Sequence, residues 1–352
     1  MRKETRLVHV GSVPVGGHAP ISVQSMTNTD TADAAATIAQ ILRLEKAGCD
    51  IVRCSVYNEA CAAAIRPIRD AIHIPVVADI HFDYRLAIAA MENGVDKLRI
   101  NPGNIGAREN VARVVDCAKA HHTPIRIGVN AGSLEKDLKA QYGPDSAEAM
   151  VKSAMGHVKI LEEEGFDDIV ISMKSSTVAT TVEAYRMLSK LVDYPLHLGI
   201  TETGTVNRGI IKSAAGIGAL LLDGIGDTLR ISLTDDPVRE VETGLEILRA
   251  LRLRQDDVEI ISCPTCGRTR VDLMHYVDVV NAALPHNRGY LRVAVMGCAV
   301  NGPGEASDAD MGIAFGNGNG VLFEKGVRVA SGTADEMVEA LVKRATERLQ
   351  PV

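Results

Sequence analysis

The sequence predicts a (β/α)8 TIM barrel followed by a small α/β domain. Between residues 20 and 252, runs rich in β-branched residues alternate eight times with amphipathic helical segments. Eight consecutive βα units is the number that closes a barrel. Four prolines stand just before predicted strands, where a missing N–H costs little: Pro20, Pro75, Pro124 and Pro195. Beyond Arg252 the alternation stops, so we assign residues 1–252 to the barrel and residues 253–352 to the second domain.

The barrel strands are predicted in order, each before a helical segment. The first helix, Ala34–Lys46, places Ile38, Ile41 and Leu42 at helical spacing, and Gly48 follows where helices often end. A doubly wound open sheet is the alternative, but it usually has a glycine-rich phosphate loop after its first strand, and this chain has SMTNTDT there. The predicted strands are Ile21–Met26, Asp50–Val56, Val76–His81, Lys97–Asn101, Ile125–Val129, Asp168–Met173, Leu196–Thr201 and Thr228–Leu233.

The second domain is predicted to mix strands and helices. A strand leads into Cys263, and an Asn-Gly-Asn-Gly sequence at residues 317–320 predicts a hairpin turn. The remaining elements are expected to be a helix over Arg268–Leu284, strands Leu291–Val295, Gly312–Phe315 and Val321–Phe323, and a last helix over Ala334–Leu349.

Composition excludes several classes of protein. The formal net charge of −7 gives no general attraction to nucleic acid or to an anionic membrane. No run of eighteen apolar residues occurs, and the N-terminal residues lack the apolar core of a signal peptide. Seven irregularly spaced cysteines do not form a disulfide framework. We therefore expect a cytoplasmic protein that binds neither nucleic acid nor membrane.

Polar residues gather where the predicted strands end. In a barrel, chemistry takes place at the carboxyl ends of the strands, and alternate residues point inward. Pairs two residues apart, such as Ser172 and Lys174, therefore face the mouth together. We call the main candidates the mouth residues: Arg53, Asp79, His81, Arg99, Asn101, Arg126, Asn130, Lys174, Thr201, Arg230 and Ser232.

The mouth residues include five cations, and the strand ends offer only Asp79 and Glu202 as counter-charges. Because burying an unpaired cation is expensive, the set indicates either matched acids or a polyanionic ligand, and a diphosphate fits the deficit. The alternative for any one arginine is a structural ion pair. Glu202 and His81 are the candidate acid–base groups, whereas His197 is expected to be an ordinary hydrogen-bonded histidine.

Three cysteines of the second domain are candidate metal ligands. Cys263 and Cys266 form a Cys-Pro-Thr-Cys pair, and Cys298 follows a second apolar strand. Thiolates at this spacing suit either a zinc ion or an iron–sulfur cluster, and the spacing does not decide between them. The nearest acid after Cys298 is Glu305, which would complete a set of four. An oxygen ligand is more easily displaced than a thiolate, so a substrate oxygen could bind in its place.

Eight sequence segments together resemble one enzyme family. In order along the chain they are SVQSMTNT, VADIHFDYR, LRINPGNIG, PIRIGVNAGSLEKDL, HLGIT, GIGDTLRISL, CPTC and GCAVNGPGE. The set is similar to the bacterial 4-hydroxy-3-methylbut-2-enyl diphosphate synthases of the methylerythritol phosphate route to isoprenoids. The resemblance spans nearly the whole chain.

The resemblance implies a reaction, a cofactor and a set of functional residues. Enzymes of this family open 2-C-methyl-D-erythritol 2,4-cyclodiphosphate by two-electron reduction with loss of water, using electrons from flavodoxin or ferredoxin. By resemblance, a 4Fe-4S cluster would lie on Cys263, Cys266, Cys298 and Glu305. The mouth residues would contact the substrate, and Glu202 would donate a proton. The rival interpretations are a non-enzymatic iron–sulfur electron carrier and a zinc-stabilised barrel protein.

Chain direction predicts the oligomeric state. The eighth helix of such a barrel returns to the face opposite the mouth, so the chain after Leu251 emerges far from the substrate. The linker from Arg252 to Asp257 spans only about 20 Å at ~3.4 Å per residue, less than the path around the barrel. We therefore expect a head-to-tail homodimer in which each second domain serves the barrel of the partner.

Overall fold

The computed structural model describes residues 2–300 and 302–349, and for Glu305 only the main chain. These residues form two compact units. The first extends to Arg254 and the second begins at Gln255. In the part of the chain that the structure describes, no helix is both long and apolar enough to cross a membrane.

The first unit begins with a hairpin that the sequence did not reveal. Strand β1 (Val8–Val10) pairs antiparallel with β2 (Val13–Val15). The side chains of Val10 and Val15 are buried against Ile51 and Val77, which lie near the starts of two barrel strands. The hairpin therefore covers the end of the barrel interior opposite the mouth.

Eight parallel strands form the barrel. They are β3 (Ser22–Met26), β4 (Ile51–Ser55), β5 (Val76–Asp79), β6 (Lys97–Ile100), β7 (Ile125–Asn130), β8 (Ile169–Lys174), β9 (His197–Leu198) and β10 (Thr228–Leu229). From β3 to β8, strands adjacent in the chain are adjacent in the sheet, while β10 pairs with both β3 and β9. A bridge between Ile171 and Leu196 joins β8 to the segment before β9. The sheet closes, and the predicted (β/α)8 barrel is confirmed.

At least one helix follows each barrel strand. The helices are α1 (Ala34–Lys46), α2 (Glu59–Ala71), α3 (Tyr84–Glu92), α4 (Arg108–His121), α5 (Lys136–Tyr142), α6 (Ala147–Glu163), α7 (Val178–Leu188), α8 (Val206–Leu222) and α9 (Pro237–Ala250). Several begin at a polar cap: Asp33, Asn58 and Ser146 each accept a main-chain N–H of the first turn. The core between strands and helices is almost wholly aliphatic.

Tyr185 reinforces the seam where strand pairing is sparsest. Strand β9 is two residues long, and one isolated bridge joins its entrance to β8. The buried hydroxyl of Tyr185 accepts the N–H of Met173 on β8 at 2.9 Å and donates to the carbonyl of His197 on β9. The hydroxyl of Tyr185, on α7, thus replaces main-chain hydrogen bonds between β8 and β9.

The second unit is a five-stranded mixed sheet with helices. Its elements are β11 (Val258–Ser262), α10 (Leu273–Ala283), β12 (Leu291–Met296), α11 (Gly302–Glu305), β13 (Met311–Phe315), β14 (Asn319–Glu324), β15 (Val327–Thr333) and α12 (Ala334–Arg348). Strands β11, β12 and β13 are parallel, whereas β14 pairs antiparallel with β13 and β15. The predicted hairpin at residues 317–320 is confirmed.

Three elements of the second unit differ from the prediction: β15, α10 and the short helix α11, which was not predicted. Strand β15 was missed because it is a largely exposed edge strand, and its turn is made by Lys325 and Gly326, both with positive φ. Helix α10 begins at Leu273 rather than Arg268 because Asp272 caps it by accepting the N–H of His275. The residues before it belong to the loop that carries Cys266.

Candidate active site and metal centre

The barrel mouth contains a small polar cavity of about 140 Å³. It is lined by the carboxyl ends of the strands and the residues that follow them. The lining residues are Arg53, Asp79, His81, Arg99, Arg126, Gly128, Asn130, Ser172, Lys174, Thr201, Arg230 and Ser232. Every mouth residue except Asn101 lies in this set. Asn101 is buried at the end of β6, and its Oδ1 has no hydrogen-bond partner among the described residues.

Asp79 is shared between two arginines of the cavity. Its carboxylate oxygens lie 3.1 Å from Nη1 of Arg99 and 3.8 Å from Nε of Arg53. Burial alone would raise the pKa of Asp79, but the charges of Arg53 and Arg99 outweigh it, so the pKa lies below its ordinary value. Asp79 is therefore ionised and holds both guanidinium groups at the cavity wall.

Arg230 has a carboxylate partner that the sequence analysis missed. Its Nη2 lies 3.2 Å from both carboxylate oxygens of Glu240, a buried residue of α9. Glu240 also accepts the hydroxyl of Ser25 at 3.3 Å and the N–H of Leu233 at 3.0 Å. The expectation that only Asp79 and Glu202 could balance the positive charge of the mouth is wrong. Glu240, on the helix that follows the last barrel strand, pairs with Arg230.

Arg126 and Lys174 are buried cations of the same cavity. Arg126 is 1% exposed, and its Nε and Nη2 have no hydrogen-bond partner within residues 2–300 and 302–349. Burial, followed by repulsion from neighbouring cations, holds the pKa of Arg126 and that of Lys174 well below their ordinary values. The cavity thus has five cationic side chains, and the described carboxylates paired with them are Asp79 and Glu240.

Met26 holds two of these guanidinium groups weakly. Its Sδ lies 3.1 Å from Nε and 2.8 Å from Nη2 of Arg53, and 3.8 Å from Nη1 of Arg230. A thioether is a weak hydrogen-bond acceptor, so phosphate oxygens would be far better partners for the same donors. Nη2 of Arg53 and Nη1 of Arg230 are thus positioned without a strong hydrogen-bond acceptor, whereas Glu240 holds Nε and Nη2 of Arg230.

Two glycines give cavity cations room to lie across neighbouring strands. A Cβ at Gly128 would be 2.5 Å from Nε of Arg99, and a Cβ at Gly199 would be 3.0 Å from Nζ of Lys174. Both are inward-facing positions where a larger side chain would displace the cation. Neither glycine is among the residues predicted from the sequence, because a glycine carries no functional group that would mark it. Lys97, two residues before Arg99 on β6, is also absent from the predicted mouth residues.

Glu202 lines a second cavity of about 460 Å³ that adjoins the first through Asn130, Lys174 and Thr201. Its backbone has a φ of 52°, which is uncommon for a residue other than glycine. The next residue, Thr203, is buried and donates its hydroxyl to the carbonyl of Ser232. This bond anchors the loop, so the strained conformation presents an exposed carboxylate beside the cationic cavity.

The cysteine loops meet at one edge of the second sheet. Cys263 and Cys298 follow the carboxyl ends of β11 and β12, which are parallel neighbours. The N–H of Arg270 donates to the carbonyl of Gly297 at 3.2 Å, which ties the Cys-Pro-Thr-Cys loop to the loop carrying Cys298. A Cβ at Gly297 would lie 3.0 Å from Cγ2 of Thr269, so glycine allows the two loops to pack closely.

The donor set fits a soft metal. Sγ of Cys263 accepts the N–H of Gly297 at 3.3 Å. Hydrogen bonds from the main chain and side chain of Arg268 lower the pKa of the exposed Cys266 thiol, which favours the metal-binding thiolate. Within the described side chains, no three Cys, His, Asp or Glu groups already enclose a metal ion. The side chain of Glu305, the predicted fourth ligand, lies outside the described residues.

Two family descriptions match the chain. The first, "GcpE TIM-barrel domain", covers residues 5–245, and the second, "GcpE protein C-terminal domain", covers residues 259–347. The chain belongs to the GcpE family.

Proteins from other organisms match the chain over nearly its whole length. A protein of Geobacter sulfurreducens named "4-hydroxy-3-methylbut-2-en-1-yl diphosphate synthase (flavodoxin)" is 57% identical over 342 residues, which is 97% of each chain. The protein of the same name from Fusobacterium nucleatum is 53% identical over 350 residues, 99% of each chain. Among solved structures, a dihydropteroate synthase from Stenotrophomonas maltophilia shares the fold, with a TM-score of 0.54 and 16% identity over 70% of this chain and 97% of that one.

Gly128→Ala should weaken binding of inorganic pyrophosphate by about tenfold or more. The added methyl group displaces Arg99 from Asp79, and losing one charged hydrogen bond costs roughly 1.5–3 kcal/mol. Isothermal titration calorimetry measures the change. Gly156→Ala on α6 is the matched control, because a Cβ there meets no atom within 4 Å. A folded Gly128→Ala protein with wild-type affinity would show that the glycine does not position Arg99 for an anion.

Proposed function

We propose that this chain is a 4-hydroxy-3-methylbut-2-enyl diphosphate synthase, an oxidoreductase of isoprenoid biosynthesis. The reaction opens 2-C-methyl-D-erythritol 2,4-cyclodiphosphate by two-electron reduction and releases a hydroxyl group as water. The observation that carries the proposal is the excess of cations in the barrel mouth of a GcpE-family chain whose relatives bear this enzyme's name. A protein that only carried electrons would have no use for this cavity.

The mouth residues bind the cyclic diphosphate. Arg53, Arg99 and Arg126 converge on the cavity. Each has at least one N–H group whose described partner is only a thioether or that has no described partner. Phosphate oxygens accept hydrogen bonds from guanidinium groups in pairs and would fill these positions. Lys174 adds an ammonium group, whose charged form a neighbouring phosphate favours, and Asn130, Thr201 and Ser232 supply neutral hydrogen bonds. Arg230 binds while Glu240 holds its guanidinium group in place. Asn101, which does not line the cavity, is retained as a contact on the resemblance alone.

Glu202 and His81 move protons during the reaction. Both carry exposed side chains at the cavity region, whereas Arg53, Arg126 and Lys174 are buried. The departing hydroxyl group needs a proton, and Glu202 is anchored beside Lys174 and Thr201 where it can donate one. His81, two residues after Asp79 at the end of β5, lines the same cavity and is the second acid–base group.

Cys263, Cys266, Cys298 and Glu305 hold a 4Fe-4S cluster. When bound, the cluster supplies electrons and an iron with an exchangeable oxygen ligand, because three cysteines leave one iron without a thiolate. The support in the structure is the meeting of the cysteine loops and the lowered pKa of Cys266. A zinc ion would use the same three thiols, and metal analysis of the purified protein distinguishes zinc from a cluster.

The electron donor is flavodoxin, with ferredoxin as the alternative. The relatives carry "flavodoxin" in their names. The protein acts in the cytoplasm, where reduced flavodoxin and free thiols are both available.

The functional form is a head-to-tail homodimer. Helix α9 ends at Ala250 and β11 begins at Val258, so seven residues connect the two domains. Because the last helix of a (β/α)8 barrel returns to the face opposite the mouth, this connection is too short to bring a domain from that face to its own mouth. Each second domain therefore serves the barrel of the partner chain, and residues 1–252 and 253–352 act as the substrate and cluster domains.

Protein purified without oxygen should be brown, contain about four iron and four sulfide per chain, and convert the cyclodiphosphate when supplied with reduced flavodoxin.

Glu202→Gln should keep the colour but lose turnover by about 10²–10⁴-fold. Glu305→Ala should fold, lose iron readily in air and show no turnover. Glu183→Gln, on the exposed face of α7, is the control with full activity. A colourless preparation with one zinc per chain, or a brown one that never converts the substrate, would contradict the proposal.

The dimer is tested by mixing two inactive proteins. Cys298→Ser lacks a cluster ligand and Glu202→Gln lacks the proton donor, but a mixed dimer has one intact barrel and one intact cluster on different chains. Activity should return after subunit exchange, at one of the two sites. If exchange is proven by mass spectrometry and no activity returns, each site is built within one chain.

A further inference from the structure

Below the mouth, inward-facing polar residues form a second layer in the barrel. We call it the floor layer, and it consists of Gln24, Lys97, His197 and Thr228. Each lies two residues before an inward position at the mouth level, namely Met26, Arg99, Gly199 and Arg230. All four are at most 1% exposed. A barrel interior at this depth is usually filled by branched apolar residues, so the polar layer requires an explanation.

The side-chain polar atoms of the floor layer have no hydrogen-bond partners in the part of the chain that the structure describes. This holds for Nζ of Lys97, both ring nitrogens of His197, both amide atoms of Gln24 and Oγ1 of Thr228. The expectation that His197 is an ordinary hydrogen-bonded histidine is therefore wrong. Buried polar groups without partners are rare in proteins, and they often mark a functional site.

The charged neighbours of Lys97 are cations. Arg126 on β7 and Arg53 on β4 both repel its charged form, and His197 on β9 faces the same space. The neighbouring residue on β5 is the apolar Val77, and the hairpin below contributes valines. Burial first, and then Arg126 and Arg53, lower the pKa of Lys97 well below its ordinary value. Burial likewise lowers the pKa of His197, so the empty floor layer favours neutral groups.

We propose that Lys97 is a further substrate-binding residue, neutral in the empty barrel, that takes up a proton when the anionic substrate enters the mouth. This inference rests on the proposed function of the mouth as a diphosphate site. The step is a protonation only: the lone pair of Nζ accepts a proton from solvent, and no bond to the substrate forms. The added charge then attracts the diphosphate from below.

The field at Lys97 changes sign when a diphosphate binds. The mouth lies one layer above, two residues along the strand, which is about 7 Å. In the empty protein, Arg53 and Arg126 oppose a positive charge at Nζ. A bound diphosphate cancels that repulsion and adds attraction, and Coulomb interactions across such a distance are stronger at a fully buried group such as Lys97 than in bulk water.

The sign of the pH dependence follows from linkage. Because the complex binds more protons than the free protein, affinity falls as pH rises between the pKa of Lys97 in the free protein and its pKa in the complex. Within that window one linked proton changes the dissociation constant by up to about tenfold per pH unit. Below the window Lys97 is charged in both states, and above it Lys97 is neutral in both.

The test counts protons taken up on binding. Cluster-loaded protein without reductant is titrated with the cyclodiphosphate in buffers of different ionisation enthalpy, at neutral and mildly alkaline pH. Lys97→Met should take up about one proton fewer than wild type within the window and bind more weakly there. Since it replaces a neutral buried group, its melting temperature should not fall. Lys159→Met, on the exposed face of α6, is the control that leaves proton uptake unchanged.

The outcomes separate this inference from the proposed function. If wild type does not bind the cyclodiphosphate, the proposed function fails, and the inference fails with it. If wild type and Lys97→Met bind it with equal proton uptake at both pH values, only the inference is overturned. Should Lys97→Met not fold, Lys97→Gln keeps a side chain of similar length without a titratable group, and the same comparison decides.

Discussion

The barrel mouth buries more cationic side chains than carboxylates, and the surrounding structure has to offset the free energy that this costs. An unpaired buried charge costs several kcal/mol. Asp79 and Glu240 reduce this cost because each carboxylate is itself buried and held by several donors. The aliphatic shell between strands and helices supplies the stability that the polar interior does not. A site of this kind is expected where ligand binding, and not stability, determined the residues.

The mouth and the cysteine loops use the same geometric device. Side chains that are distant in sequence come together because the carboxyl ends of adjacent parallel strands lie at one edge. In the barrel this collects Arg53, Asp79 and Arg99, and in the second unit it collects the loops of Cys263 and Cys298. Glycines complete both sites, since they let a cation or a loop approach where a Cβ would collide.

The eightfold alternation of strand and helix segments was enough to predict the barrel, and the period-two pattern at the strand ends was enough to predict nearly all residues of the cavity. It could not predict Glu240, because that carboxylate reaches Arg230 from a helix, at a position that the strand pattern does not mark. It could have indicated Lys97, which shares a strand face with Arg99, but a lysine at the start of a strand resembles an ordinary surface residue. Strand β15 was missed for a different reason: an exposed edge strand needs main-chain pairing and little apolar burial.

Thermal unfolding of Arg126→Met with and without the cyclodiphosphate shows whether the mouth keeps unpaired positive charge for an anionic substrate. The empty variant should melt no lower than wild type, because an unpaired buried cation has been removed. The substrate should raise the melting temperature of wild type and of the exposed control Arg113→Met but not that of Arg126→Met. A variant that melts lower when empty, yet is stabilised by substrate as much as wild type, would show that Arg126 serves the fold and not the ligand.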